Sequence, residues 1–204
     1  MKKNLLFSTE VYSFNNENID NDKIKEIILK KEEGESSRSI SNIGGWQSEE
    51  SLLEENYFSE IKDFLFECTE SVARDMYQDD DIKFYMASSW ANVNRKGDYN
   101  LSHIHGNSHW SCVYYVTETY KASIYFLDPR IRAEMFTAIG GEMNPKSMLG
   151  LEKCESGQVL FFPSWLEHAV LQNPTDNPRI SISSNFTHFL FGHSTKRHDD
   201  SWAW

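Results

Sequence analysis

From about residue 82 the chain stops reading as helix and becomes a series of short β-rich segments, and this change constrains the fold more than any other feature. The segments "KFYMASSWANVN", "WSCVYYV", "ASIYFL", "GQVLFF", "HAVL" and "RISISSNF" are rich in β-branched and aromatic residues, and Gly, Pro, Asn and Asp separate them. Many short strands after helical segments predict a mainly β protein, an antiparallel jelly roll with helices backing one sheet. With 204 residues, one domain is the default, divided into supporting elements over 1–80 and a jelly-roll core over 82–190.

The first 80 residues carry a short strand-like start and two helical patterns. Ile24, Ile27 and Ile28 share one helix face, with Asn18 or Asp20 as candidate cap and Gly34 as candidate end. The stretch "EGESSRSISNIGGWQS" reads as loop. Ser48 followed by Glu49 and Glu50 reads as a helix start, and Ile61, Phe64, Leu65, Cys68, Val72 and Met76 form a helical stripe that packs on a sheet. The segment 130–150 is long for a hairpin and reads as a lid or substrate loop. The polar tail with two tryptophans, "GHSTKRHDDSWAW", gives no signal of its role.

Composition excludes several classes. A net charge of −11 repels phosphate backbones and argues against nucleic-acid binding. No apolar run approaches the roughly 18 residues of a membrane helix, and the run Leu5 to Phe7 is too short for a signal peptide. The expectation is a cytoplasmic protein. Cys68, Cys112 and Cys154 show no paired spacing and read as small buried hydrophobes.

Against this background the histidines stand out. Residues i and i+2 of a strand share a face, so His103 and His105 can aim both imidazoles at one point. A third ligand from a distant strand would complete the facial triangle that iron(II) oxygenases use, and His168, after "FFPSWLE", is the candidate. The alternative for His105 is a hydrogen bond that supports the site without ligation. His109, His188, His193 and His198 read as ordinary surface or core histidines.

Arg179, Ser181 and Ser183 alternate with Ile180 and Ile182, as a strand with one polar and one apolar face requires. A guanidinium grips a carboxylate with two parallel bonds, and a neighbouring hydroxyl adds one more. Burying an arginine in a jelly roll calls for an anionic partner: a ligand carboxylate, or a protein carboxylate such as Asp128.

Taken in order, "SNIGGWQS", "WANVNRKGDYNLSHIHGNSHWSCVYYV", "FLDPR", "GQVLFFPSWLEHAV" and "RISISSNF" resemble the iron(II)- and 2-oxoglutarate-dependent oxygenases. More narrowly, they resemble a 2-oxoglutarate oxygenase family found in marine bacteria and their phages. The resemblance covers most of residues 41–186. It implies a double-stranded β-helix, cupin-like, closed around Fe(II), with 2-oxoglutarate and O2 as co-substrates. It places His103 and His168 on the iron, and His105 where the superfamily usually has Asp or Glu. That departure leaves the ligand set open between three histidines and two histidines plus water. Arg179 and Ser181 match the residues that hold the distal carboxylate of 2-oxoglutarate. Asn92 and Asn94 lie on a strand that contacts the co-substrate in related enzymes, and Tyr114 or, as the preferred choice, Tyr115 adds a phenol to the same carboxylate.

The implied activity is hydroxylation of an unknown substrate, a peptidyl side chain or a small metabolite, with release of succinate and CO2. The location would be the host cytoplasm if the chain is phage-encoded, and analogy with other jelly-roll proteins allows a homodimer. Two rival readings remain open: a cupin-like metal enzyme that uses no 2-oxo acid, and a non-catalytic jelly-roll binding module. Neither needs the Arg179 clamp.

Overall fold

In a computed structural model of the chain, residue 2 and residues 7–77, 82–120, 124–130, 148–150 and 153–189 are described. The strands are β1 (Tyr12–Asn15), β2 (Asn42–Ile43), β3 (Trp46–Gln47), β4 (Lys83–Asn94), β5 (Tyr99–His103), β6 (Trp110–Tyr115) and β7 (Thr119–Tyr120). They continue with β8 (Ile124–Leu127), β9 (Met148–Gly150), β10 (Lys153–Cys154), β11 (Gln158–Pro163), β12 (His168–Val170) and β13 (Arg179–Phe189). A major sheet runs β1-β11-β6-β13-β4-β3 and a minor sheet runs β2-β5-β12-β8-β9, while β7 and β10 form a small ribbon. Every pairing between these strands is antiparallel. From β4 to β6, and again from β11 to β13, successive strands alternate between the two sheets. This is the double-stranded β-helix, a jelly roll, as expected.

Strand alternation divides the major sheet into two faces. Ala91, Val93, Cys112, Tyr114, Val159, Phe161, Ile180 and Ile182 belong to one buried cluster with the helices. Helix α1 (Asn21–Gly34) buries Ile24 and Ile28 there, and α2 (Ser59–Tyr77) buries Ile61, Leu65, Cys68 and Val72. Phe64 and Met76 pack against the same cluster half-buried, so the predicted stripe is the helix's packing face. The other face meets the minor sheet through Val113, Tyr115, Leu160, Phe162, Ile124 and Phe126. The strands of the major sheet thus read as nearly continuous apolar runs because they are covered on both faces. Cys68, Cys112 and Cys154 are buried thiols rather than disulfides.

Asp20 is the α1 cap, its carboxylate accepting from the Lys23 N–H at 3.1 Å. Gly34 is the last helical residue, and the chain leaves through an extended Glu35. Two expectations fail between the helices. The stretch read as loop contains β2 and β3, whose two-residue length is too short for a period-2 pattern. The Trp46 indole, nearly buried, fixes β3 by donating to the Glu35 carbonyl at 3.1 Å. Gly44 and Gly45 carry the chain from the minor to the major sheet with φ of +66° and +64°, and a Cβ on Gly45 would stand 2.9 Å from the Val93 carbonyl. Nor is Ser48 a helix start. It is buried, and its hydroxyl accepts from the Ala91 N–H at 2.9 Å, while α2 begins at Ser59 after two short 3-10 turns. Most of the 130–150 segment and the whole C-terminal tail lie outside the described residues.

Candidate active site

The jelly roll encloses a cavity of about 340 Å³ between its sheets, open at one end, and all eight candidate site residues line it. His103, at the end of β5, stands directly opposite His168, the first residue of β12. His105 is not on the strand: β5 stops at His103, and the His105 N–H donates to the Ser164 carbonyl at 2.9 Å. Alternation nevertheless continues past the strand end, with Ile104 turned outward (54% exposed) and His105 turned in. The three imidazoles offer ligand atoms that all lie within 4.8 Å of one another.

Hydrogen bonds orient two of these rings. His103 Nδ1 donates to the Leu101 carbonyl at 2.7 Å and His168 Nδ1 to the Leu166 carbonyl at 2.9 Å. Each leaves Nε2 bare for a metal. Burial, joined by the neighbouring imidazoles His168 and His103, pushes the His105 pKa down to about 3. Burial also lowers His168 to about 4, partly opposed by its bond to Leu166. These two rings are neutral near pH 7, the state a metal ligand requires.

The polar side of the cavity is built by register. On β13, Arg179 and Ser181 face Asn94 and Asn92 of β4, and Ser181 faces Tyr115 of β6. Arg179 is 5% exposed and its Nη1 donates to the Leu171 carbonyl at 2.8 Å, tying the major sheet to the end of β12. Burial pulls its pKa down to about 10, opposed by the nearby Tyr115 and Asp98. The salt bridge considered for Asp128 does not form, since Asp128 takes the Arg130 guanidinium at 2.9 and 2.7 Å. Tyr115 is held neutral by burial, and its hydroxyl has the Cys154 thiol for a neighbour but, among the described residues, no oxygen or nitrogen partner. Tyr114 points the other way, donating to Asn21 Oδ1 on α1 at 2.8 Å. Asn92 Nδ2 donates to Ser183 Oγ at 3.2 Å, and Asn94 Nδ2 to Asn100 Oδ1 at 3.4 Å.

Residues 88–185 match the family described as "Putative 2OG-Fe(II) oxygenase". This part of the chain resembles the 2OG-Fe(II) oxygenases. No curated protein matches it in sequence. Among solved structures, the fold of this chain is similar to the non-heme alpha ketoglutarate dependent epimerase SnoN from nogalamycin biosynthesis. The TM-score is 0.64 at 10% identity, over 88% of this chain and 76% of that one. HygX from Streptomyces hygroscopicus, solved with nickel, 2-oxoglutarate and hygromycin B bound, gives 0.59 at 12% identity, over 88% and 83%. A Pseudomonas putida prolyl-4-hydroxylase gives 0.59 at 11% identity, over 88% and 93%. At these identities the likeness speaks for the fold.

The residues of the cavity fit iron and 2-oxoglutarate. Three imidazoles make a nitrogen donor set suited to a divalent transition metal. The buried guanidinium, and a buried phenol with no oxygen or nitrogen partner among the described residues, suit a carboxylate in the same cavity. Several lining residues escaped the sequence reading. Asn185 continues the alternation of Arg179, Ser181 and Ser183, so a longer count finds it. Asn100 was hidden: a β-bulge between His168 and Val170 pairings sets both Asn100 and His103 inward although they are three apart. Trp90 and Ser88 continue the alternation of Asn94 and Asn92 back along β4, while Glu50 reaches the cavity through the path of the chain before it. His109 and His188 pair with each other, ring centroids 4.3 Å apart, away from this cavity, and His193 and His198 lie outside the described residues.

Proposed function

We propose that the protein is an Fe(II)/2-oxoglutarate dioxygenase that hydroxylates a peptidyl side chain or a small metabolite, releasing succinate and CO2. The observation that carries this reading is the single cavity shared by three convergent histidines and a buried Arg179 with Ser181 beside it. His103, His105 and His168 hold the iron. Arg179 and Ser181 grip the distal carboxylate of the co-substrate, with the Tyr115 phenol as a further donor. Asn92 and Asn94 line the co-substrate's side of the cavity.

When bound, iron and 2-oxoglutarate supply oxygen activation, the electrons coming from decarboxylation of the 2-oxo acid. The chain's residues supply orientation and exclusion of water. Arg179 and Ser181 fix one end of the co-substrate, which sets where its other end meets the histidines. The apolar wall of Val113, Ile124 and Phe162 keeps water from that end of the cavity. Ile40, Leu101 and Ile104 give the mouth an exposed apolar rim, the surface a substrate meets first.

Calorimetric titration of 2-oxoglutarate into anaerobic, iron(II)-loaded protein tests the reading, followed by succinate measurement after admission of air. Saturable binding and substrate-independent slow succinate release are expected. A metal-loaded protein that binds no 2-oxoglutarate overturns the reading.

A further inference from the structure

We propose that Asn185 is a positioning residue that sets the tautomer of His105, and thereby whether the third imidazole can take the metal; the inference rests on the metal reading above. His103 and His168 are wired alike, each giving its Nδ1–H to a backbone carbonyl two residues back. His105 has no such bond. Its Nδ1 faces the Asn185 amide nitrogen at 3.5 Å. An amide N–H can only donate, so in this arrangement Nδ1 accepts and the ring proton sits on Nε2, where it blocks ligation through that atom.

Asn185 is placed so that its amide can turn over. It pairs in register with Ser88 on β4 and with Ser111 on β6. Asn185 Nδ2 donates to Ser88 Oγ at 3.1 Å, and Ser111 Oγ donates to Asn185 Oδ1 at 2.8 Å. Ser111 Oγ also lies 2.8 Å from Ser164 Oγ, Ser108 Oγ lies 3.0 Å from Ser164 Oγ, and Ser108 Oγ reaches the His105 carbonyl at 3.5 Å. All of Asn185's side-chain partners other than His105 are hydroxyls, which both donate and accept.

A half-turn of the amide therefore loses no bond. Oδ1 would accept from His105 Nδ1–H and from Ser88. Nδ2 would donate to Ser111, which then donates to Ser164, which donates to Ser108, which closes on the His105 carbonyl. The imidazole stays neutral: water takes up the Nε2 proton and supplies the one that Nδ1 gains. Ser111 and Ser164 are 1% and 0% exposed, so bulk water cannot patch a half-turned chain and the hydroxyls reverse together. The amide thus stands in for the hard-wired carbonyl of the other two histidines, with a choice of sign that a carbonyl lacks.

Nitrogen-15 histidine spectra of the full chain near neutral pH, metal-free and then with Zn(II), test this. The wild type should show His105 as the Nε2–H tautomer without metal and Nδ1–H with zinc, while His103 and His168 keep Nδ1–H throughout. N185D, whose carboxylate only accepts, should show Nδ1–H at His105 before any zinc is added and bind zinc about tenfold to a hundredfold more tightly. The same His105 tautomer in metal-free wild type and N185D overturns the proposal. Should N185D fail to fold, the wild-type titration decides alone: an unchanged His105 tautomer while zinc binds at His103 and His168 refutes it. If zinc leaves His103 and His168 unmoved, the metal reading fails, and the metal-free comparison still decides the role of Asn185.

Discussion

Replacing Arg179 with methionine separates a ligand clamp from a structural cation. The guanidinium is 5% exposed, and burial draws its pKa down to about 10, opposed by the nearby Tyr115 and Asp98. Removing one partner of a buried, hydrogen-bonded charge pair costs about 3–5 kcal/mol. At about 1.4 kcal/mol per tenfold, R179M should weaken 2-oxoglutarate binding by roughly two to three and a half orders of magnitude. Stability should behave differently. The variant loses the bond to the Leu171 carbonyl, among the guanidinium's other contacts, but also a desolvated charge, and exchanging a buried charge for an apolar side chain is often neutral or stabilising. Metal-free R179M is expected within about 1–2 kcal/mol of wild type by urea denaturation. The assay is paired: calorimetry of 2-oxoglutarate into metal-loaded protein, and denaturation of metal-free protein. Binding within threefold of wild type would refute the clamp. Lost binding with a collapse in stability would make Arg179 a structural cation instead.

Other perturbations probe the scaffold and the metal face separately. The folded-state pKa values of His105 and His168, about 3 and about 4, lie below the unfolded value near 6.5. Between these limits the unfolded chain binds more protons, so metal-free stability should fall as pH drops from about 6.5 towards 4. His168 alone contributes on the order of 3 kcal/mol to that loss, and a flat denaturation profile across the window would contradict it. His168→Ala should lower nickel or zinc affinity at least about a hundredfold by calorimetry while the Arg179 side of the cavity stays folded; unchanged affinity would remove His168 from the ligand set. Gly157→Ala places a Cβ at φ +87°, in clash with the Asn16 carbonyl, and should cost at least about 2 kcal/mol in denaturation by prising β1 from β11. Leu65→Ala, at a fully buried position of α2, should cost about 2–5 kcal/mol yet leave metal affinity intact, since the helices cover the sheet face opposite the cavity.

How far the sequence could be read follows from the range of the signals involved. Strand alternation is local, so the polar face of Arg179, Ser181 and Ser183 and the shared face of His103 and His105 were legible without coordinates. The same rule separates Tyr115 from Tyr114: neighbouring residues of one strand face opposite sides, and only register against β13 tells which side holds the cavity. Irregularity defeats alternation, as the bulge at Asn100 shows. Elements of two residues, such as β2 and β3, carry no period at all.

The sequence by itself determined the class of the fold and the chemistry it can hold. Apolar periodicity dictated which faces must be buried, and the donor types at His103, His105, His168 and Arg179 dictated what those residues can bind. Only the tertiary structure decided that these residues meet. His168 stands opposite His103 because β12 pairs with β5 across a long chain separation, and Asn185 stands beneath His105 because β13 lies between β4 and β6. Such meetings depend on long-range pairing, which is set by the burial of both sheet faces together and leaves no trace in the residues near either partner.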